Sequence, residues 1–312
     1  MSDDKQDDRG DDGEEINEDS AAVEPVEPAV DDDAGDGDDD EQVPEPYEPT
    51  TDVPDPLLET YQKLLRKTEG LPELPMKSAL VERTLAGLEL EEMVWCLDQI
   101  LRGALWGKPG GMETMMATIW WLIEMRRDDD YETIKGIFET AHEARRASVL
   151  DLFREVPPHQ ALADGQELPE VRFPSGDDEV TLGERRAMAA GPKHRLLERL
   201  LMDPDPLVIR KLLDNPHIRL EDIQVIATRR PTTPEILQEI VFHPRWFRRF
   251  EVRESIVRNP YADTGLVLKL LPTLGIRPLR RIKFSGDLHP IVQESAKRLV
   301  KLREERTAPW GV

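Results

Sequence analysis

Arginine and aromatic side chains alternate in Arg245-Trp246-Phe247-Arg248-Arg249-Phe250, and two further arginines follow at Arg253 and Arg258. A guanidinium is a planar fork that grips a carboxylate or phosphate with paired hydrogen bonds and also stacks on an aromatic face. On a single helix through this region, Arg245, Arg248, Arg249 and Arg253 share one face, because positions three and four apart are neighbours. A second basic stretch, Arg277, Arg280, Arg281 and Lys283, follows one helix later. If both stretches lie on one side of a helical array, they make a positive groove. Three readings of it are open. Trp246, Phe247 and Phe250 can be core, with the arginines in ordinary ion pairs to Glu251, Glu254 and their neighbours. The groove can take an acidic protein segment. It can also take nucleic acid, which basic residues interleaved with aromatics suit.

Other chemistry is sparse. The chain lacks GxxxxGK[ST], GxGxxG, HExxH, CxxC and GxSxG patterns. Gly107-Lys-Pro-Gly-Gly111 is glycine-rich but has neither the preceding strand nor the Lys-Ser/Thr pair of a phosphate loop, so it reads as an interhelix turn. The histidines His142, His159, His194, His217, His243 and His289 never pair at helical spacing, and no cysteine accompanies them. No metal and no cofactor is therefore expected. Asp128-Asp129-Asp130 reads as a cap for a helix starting at Tyr131, since carboxylates complement a helix N-terminus. General acid–base work would need partners that this spacing does not place. A non-catalytic protein is the expectation.

The net charge of −23 is unevenly distributed. Residues 1–55 carry 24 acidic and two basic side chains, residues 56–180 carry 24 and 14, and residues 181–312 carry 16 and 25. Such asymmetry points to polyanionic or acidic partners for the basic part, or to contact between the two ends of the chain. The modest excess of +9 in the last part speaks against bulk nucleic-acid binding. One cysteine, Cys96, excludes an intrachain disulfide. The start of the sequence lacks a basic–apolar secretory pattern, and the longest apolar stretch, Met112 to Met125, is too short to span a bilayer. The expectation is a cytoplasmic protein without membrane insertion.

These residues need helices to position them. Residues 1–55 are rich in Asp, Glu, Pro and Gly and read as a disordered acidic tail. Residues 56–156 read as a helical bundle, with stripes at Leu57–Leu65 and Leu88–Leu105. In it Met112 to Met125, apolar on almost every face, forms the central helix and a helix from Tyr131 to about Phe153 follows. Residues 157–180 read as a linker or extended loop. Thr181-Leu-Gly-Glu184 has capping-box spacing and opens a second helical domain over 181–312.

That domain is punctuated by a polar residue before proline, at Asp203, Asn215, Arg230, His243, Asn259 and His289. Proline ends one helix or begins the next, so helices are predicted at 193–202, 206–214, 220–229, 233–241, 246–258, 264–273 and 288–305. The VIRKLLDNP segment from Val208 aligns with VRESIVRNP from Val252 at an offset of 44, a period of two-helix solenoids. Through the LLDNP and VRNP turns, ATRRPTTPEIL and FHPRW, residues 181–274 resemble HEAT-like or leucine-rich-repeat-variant helical arrays of bacterial proteins. The resemblance covers about a third of the chain and implies a protein-binding surface, less often a nucleic-acid-binding one. The combined expectation is an all-α adaptor or scaffold. Its partner surface is Arg245, Trp246, Arg248, Arg249, Arg253, Arg258, Arg277, Arg280, Arg281 and Lys283. Its partner is a protein with an acidic surface, with which the acidic tail competes by folding back onto the Arg245–Arg258 surface; nucleic acid is the alternative.

Overall fold

Helix-forming stripes and proline-marked turns run through the whole of the chain that the computed structural model describes, residues 55–127, 131–154, 156, 180–192 and 196–305. Every regular element among them is helical. The acidic tail, the Asp128–Asp130 cap and the linker over 157–179 lie outside the described residues.

The first half contains α1 (Asp55–Gly70), α2 (Leu74–Leu85), α3 (Leu90–Leu105), α4 (Gly111–Arg127), α5 (Tyr131–Glu143) and α6 (Ala147–Phe153). Helix α4 is central, as its all-round apolarity predicts. Met115, Ala117, Ile119, Trp120 and Leu122 are buried, and α1, α2 and α3 pack around it. Helix α2 escapes a reading by hydrophobic period because its inward stripe includes Lys77 and Ser78. The Lys77 ammonium is nevertheless satisfied there, by the carboxylate of Glu113 on α4.

The turn between α3 and α4 is the glycine-rich segment. Gly107 and Gly110 hold φ of 68° and 70°, a left-handed conformation that glycine adopts without steric cost. Beside it a Cβ on Gly111 would lie 2.9 Å from the Gly103 carbonyl, so α3 and α4 meet backbone to backbone.

The expected single helix over 131–153 breaks. Arg145 takes φ 51°, its N–H donates to His142 O at 3.1 Å, and the Arg146 N–H donates to Ala141 O at 2.9 Å. These two bonds close a Schellman cap with arginine where glycine is usual. The break delivers the Arg146 guanidinium to Asp98, a fully buried carboxylate on α3, at 3.3 Å; Arg102 Nε and Ser148 Oγ also donate to that carboxylate, each at 2.8 Å.

The second half contains α7 (Leu182–Ala190), α8 (Leu197–Leu200), α9 (Pro206–Leu213), α10 (Leu220–Thr228), α11 (Pro234–Phe242), α12 (Pro244–Phe247), α13 (Phe250–Val257), α14 (Thr264–Leu270), a 3-10 turn (Leu271–Thr273), α15 (Ile276–Ile282) and α16 (Pro290–Glu305). The capping box at α7 forms: Glu184 N donates to Thr181 Oγ1 at 3.3 Å and Thr181 N to Glu184 Oε2 at 2.8 Å. Thr233 caps α11, with Pro234 at its first position. At four of the polar–proline marks the polar side chain accepts an N–H two residues on, across the donorless proline. Asp203 accepts from Asp205, Asn215 from His217, Asn259 from Tyr261 and His289 from Ile291, at 2.9–3.2 Å.

The two halves meet within one compact unit, Asp52–Val312. Helix α4 packs on α11, α14 and the 3-10 turn, and α6 packs on α14. Phe247 of α12 meets Trp120 of α4 edge to face, with ring centroids 5.1 Å apart. Arg298 of α16 forks onto both oxygens of Asp151 of α6 at 2.9 and 2.8 Å.

Candidate functional site

The predicted helix over 246–258 is interrupted. Helix α12 stops at Phe247, Arg248 and Arg249 bridge the gap, and α13 starts at Phe250. In an unbroken helix the Phe247 carbonyl would accept from the N–H four residues on. It accepts instead from the Arg253 guanidinium, at 2.6 Å, while Arg253 Nε donates to Thr273 Oγ1 at 3.0 Å. The shared face expected for Arg245, Arg248, Arg249 and Arg253 is therefore lost, because a buried cation takes the carbonyl that would continue the helix.

The ten residues singled out by sequence scatter to different surroundings. Trp246 is buried, and its indole N–H donates to the Leu213 carbonyl at 3.0 Å, with the Arg245 guanidinium 4.3 Å over its ring. Arg253 is 6 % exposed, and burial lowers its pKa to about 10, which still leaves it charged at neutral pH. Arg248 is exposed and reaches the Pro72 carbonyl between α1 and α2 at 3.5 Å. Arg249 and Arg277 are exposed. Arg280 pairs with Glu304 of α16 at 2.8 Å, and Lys283 sits 4.7 Å over the Phe284 ring.

Arg258 and Arg281 come together. Both line a cleft of about 550 Å3, with Arg230, Glu251, Glu254 and Gln224 among the other walls. Asn259 builds it. Its side-chain amide donates to the carbonyls of Ala227 and Arg229 at 2.9 and 3.0 Å, pinning the end of α13 to the end of α10. That holds Arg258, the last residue of the α13 turn, beside Arg230. Arg230 donates to Arg258 O at 2.6 Å and to Asp287 Oδ2 at 2.9 Å. The Ser285 hydroxyl, and after it the Arg230 guanidinium, hold Asp287 below the usual carboxylate range. Across the cleft Arg281 donates to Glu254 Oε1 at 2.7 Å.

Charge is graded along this cleft. Glu251 lies in the first turn of α13 and Arg258 at its end, about 10 Å apart at 1.5 Å per residue. Among the described residues no hydrogen bond or ion pair engages the Arg258 guanidinium, whereas Arg230 and Arg281 are held in place by carboxylates. The arrangement offers one free, always-charged fork between two fixed ones. Arg230 was legible only as a polar residue before proline; its role depends on Asp287, 57 residues on.

No protein-family model matches the chain. No curated protein and no solved structure matches it at a significant level either. Among the described residues no cluster of three His, Cys, Asp or Glu side chains could hold a metal ion, and no helix is long and apolar enough to cross a membrane.

Proposed function

We propose that this chain is a non-catalytic, cytoplasmic protein-binding adaptor or scaffold that docks an acidic partner at the Arg230–Arg258–Arg281 cleft. The observation that carries the reading is the free Arg258 fork between two arginines already oriented by carboxylates. Guanidiniums held in position lose little entropy when they take a carboxylate, and arginine is frequent among the anchors of protein interfaces.

A repeat architecture for residues 181–274 belongs to the same proposal. It is supported by the pairs α9/α10 and α13/α14, whose first residues are spaced 44 apart, Pro206 to Phe250 and Leu220 to Thr264. It is supported also by Asn215, whose amide donates to Ala189 and Gly191 as Asn259 does to Ala227 and Arg229. The nucleic-acid alternative is weaker on electrostatic grounds. Glu251 and Glu254 line the same cleft and oppose a phosphate backbone, and Arg253 and Trp246 face inward.

The test is a nuclease-treated pull-down from native lysate with the full chain and two charge reversals. R258E combined with R281E should lose the partner that the wild type retains. R280E, which disrupts only the pair with Glu304, should keep it. Retention by all three proteins would place binding elsewhere. A bound species that vanishes with nuclease would favour nucleic acid.

A further inference from the structure

We infer that Phe284 and the Arg230–Arg258 end of the cleft form one docking site for a short linear segment of the partner, in which an acidic side chain neighbours a large apolar one. This deepens the proposed adaptor reading and rests on it. Among the described residues Phe284 is the most exposed of the large apolar side chains, at 77 %. A single exposed apolar side chain is ordinary by itself; this one follows a cleft-lining arginine by three residues, so its ring can add apolar area to a ligand of that cleft.

Its place in the fold is defined at both ends. Phe284 N donates to Arg281 O at 3.2 Å, so it sits in the turn directly after a cleft residue. Three residues later Asp287 is tied to Arg230, on the positive wall. The turn is further braced by Ser285 Oγ, which donates to Asp287 Oδ1 at 2.6 Å. The aromatic ring is thus carried on a short segment anchored to two of the three arginines, with the Lys283 ammonium 4.7 Å from its centroid.

A linear segment fits this arrangement better than a broad flat surface. The binding elements are an open cleft lined by Arg258 and an exposed ring on the segment that joins cleft-lining Arg281 to Asp287, the partner of Arg230, so a ligand must enter one and cover the other. The charge gradient sets direction: a carboxylate is favoured near Arg258 and Arg230 and disfavoured near Glu251. An apolar side chain next to that carboxylate would cover the Phe284 ring, adding burial to a charge-assisted hydrogen bond.

The probes are two fluorescein-labelled peptides, one with glutamates flanking a phenylalanine and one with serine in place of that phenylalanine. Both are titrated into the full chain by fluorescence anisotropy. The phenylalanine peptide should bind about tenfold more tightly, the equivalent of burying part of one aromatic side chain. F284A should erase that preference without weakening the serine peptide, F284W should restore it, and R258E should weaken both. Melting curves of the Phe284 variants should match the wild type, because the side chain is largely in solvent. Equal binding of both peptides, with R258E still weakening them, would overturn the role of Phe284 and leave the acidic-partner reading standing. Binding of neither peptide would overturn the linear-segment site, and the charge-reversal pull-down would then decide the adaptor reading separately. Tighter binding of a single-stranded oligothymidylate than of either peptide, lost in R258E, would overturn both in favour of nucleic acid.

Discussion

Asn215 and Asn259 stand 44 residues apart and make the same three hydrogen bonds. Each accepts an N–H from two residues on, and each donates its amide to two carbonyls at the end of a preceding helix. Both are buried. A turn that leads into one helix is thereby fastened to the end of an earlier helix, that of α7 at Asn215 and that of α10 at Asn259, and at Asn259 the fastening also holds Arg230 beside Arg258.

Replacing Asn259 should therefore affect stability and binding together. N259A leaves two buried carbonyls without their donor and should cost about 2 kcal/mol, a fall in Tm of roughly 4–8 °C. N259D keeps the acceptor for Tyr261 N but turns an anionic oxygen toward two carbonyls, so it should cost at least as much. Thermal melts of both variants check this; an unshifted N259D would show that the amide donors contribute nothing.

Gly111 tests the close approach of α3 and α4. Glycine to alanine inside a helix ordinarily stabilises, by up to about 1 kcal/mol. At Gly111 the added methyl would meet the Gly103 backbone at 2.9 Å, so G111A should instead destabilise by about 1–3 kcal/mol through overpacking. At Gly70, the last residue of α1, a Cβ meets nothing within 4 Å. G70A should be neutral or slightly stabilising. Urea denaturation of the two variants should show opposite signs or a clear difference.

His243 predicts a pH dependence. Burial, foremost, lowers its pKa below the ordinary 6.5, with the nearby Arg245 acting in the same direction and Asp214, 3.4 Å from Nε2, opposing them. The unfolded chain then takes up a proton at higher pH than the folded one. The contribution is fully present above about pH 6.5 and is lost as pH falls through the folded-state value. Tm should fall between neutral pH and pH 5, and H243N should flatten that part of the profile. An identical slope in the variant would assign the acid sensitivity to other groups.

Residues 1–55 hold 24 acidic and two basic side chains, and we propose that they compete for the partner's place on the basic surface. Deleting residues 1–50 should raise affinity for the acidic peptides, and more at low salt than at high, because screening already weakens the competing contact. Equal affinities with and without the segment would remove the competition.

Helical class, the caps at Thr181 and Thr233, and the proline-marked turns at Asp203, Asn215, Asn259 and His289 are legible in the sequence, because capping and donorless proline act within a few residues. The central position of α4 is legible too, from apolar side chains on all its faces. Arg145 in a left-handed cap is not, since glycine is the usual signal there. Nor is α2, whose inward Lys77 depends on Glu113 from another helix.

The division is one of range. The sequence by itself determined where helices begin and end wherever a neighbour within one turn supplies the hydrogen bond. Tertiary structure alone decided which arginines face inward and which meet in the cleft. Those fates rest on acceptors remote along the chain: Asp98 for Arg146, 48 residues away, Glu254 for Arg281, 27 residues away, and Thr273 for Arg253, 20 residues away. A guanidinium is long and always charged, so it goes wherever folding places an acceptor oxygen within its reach.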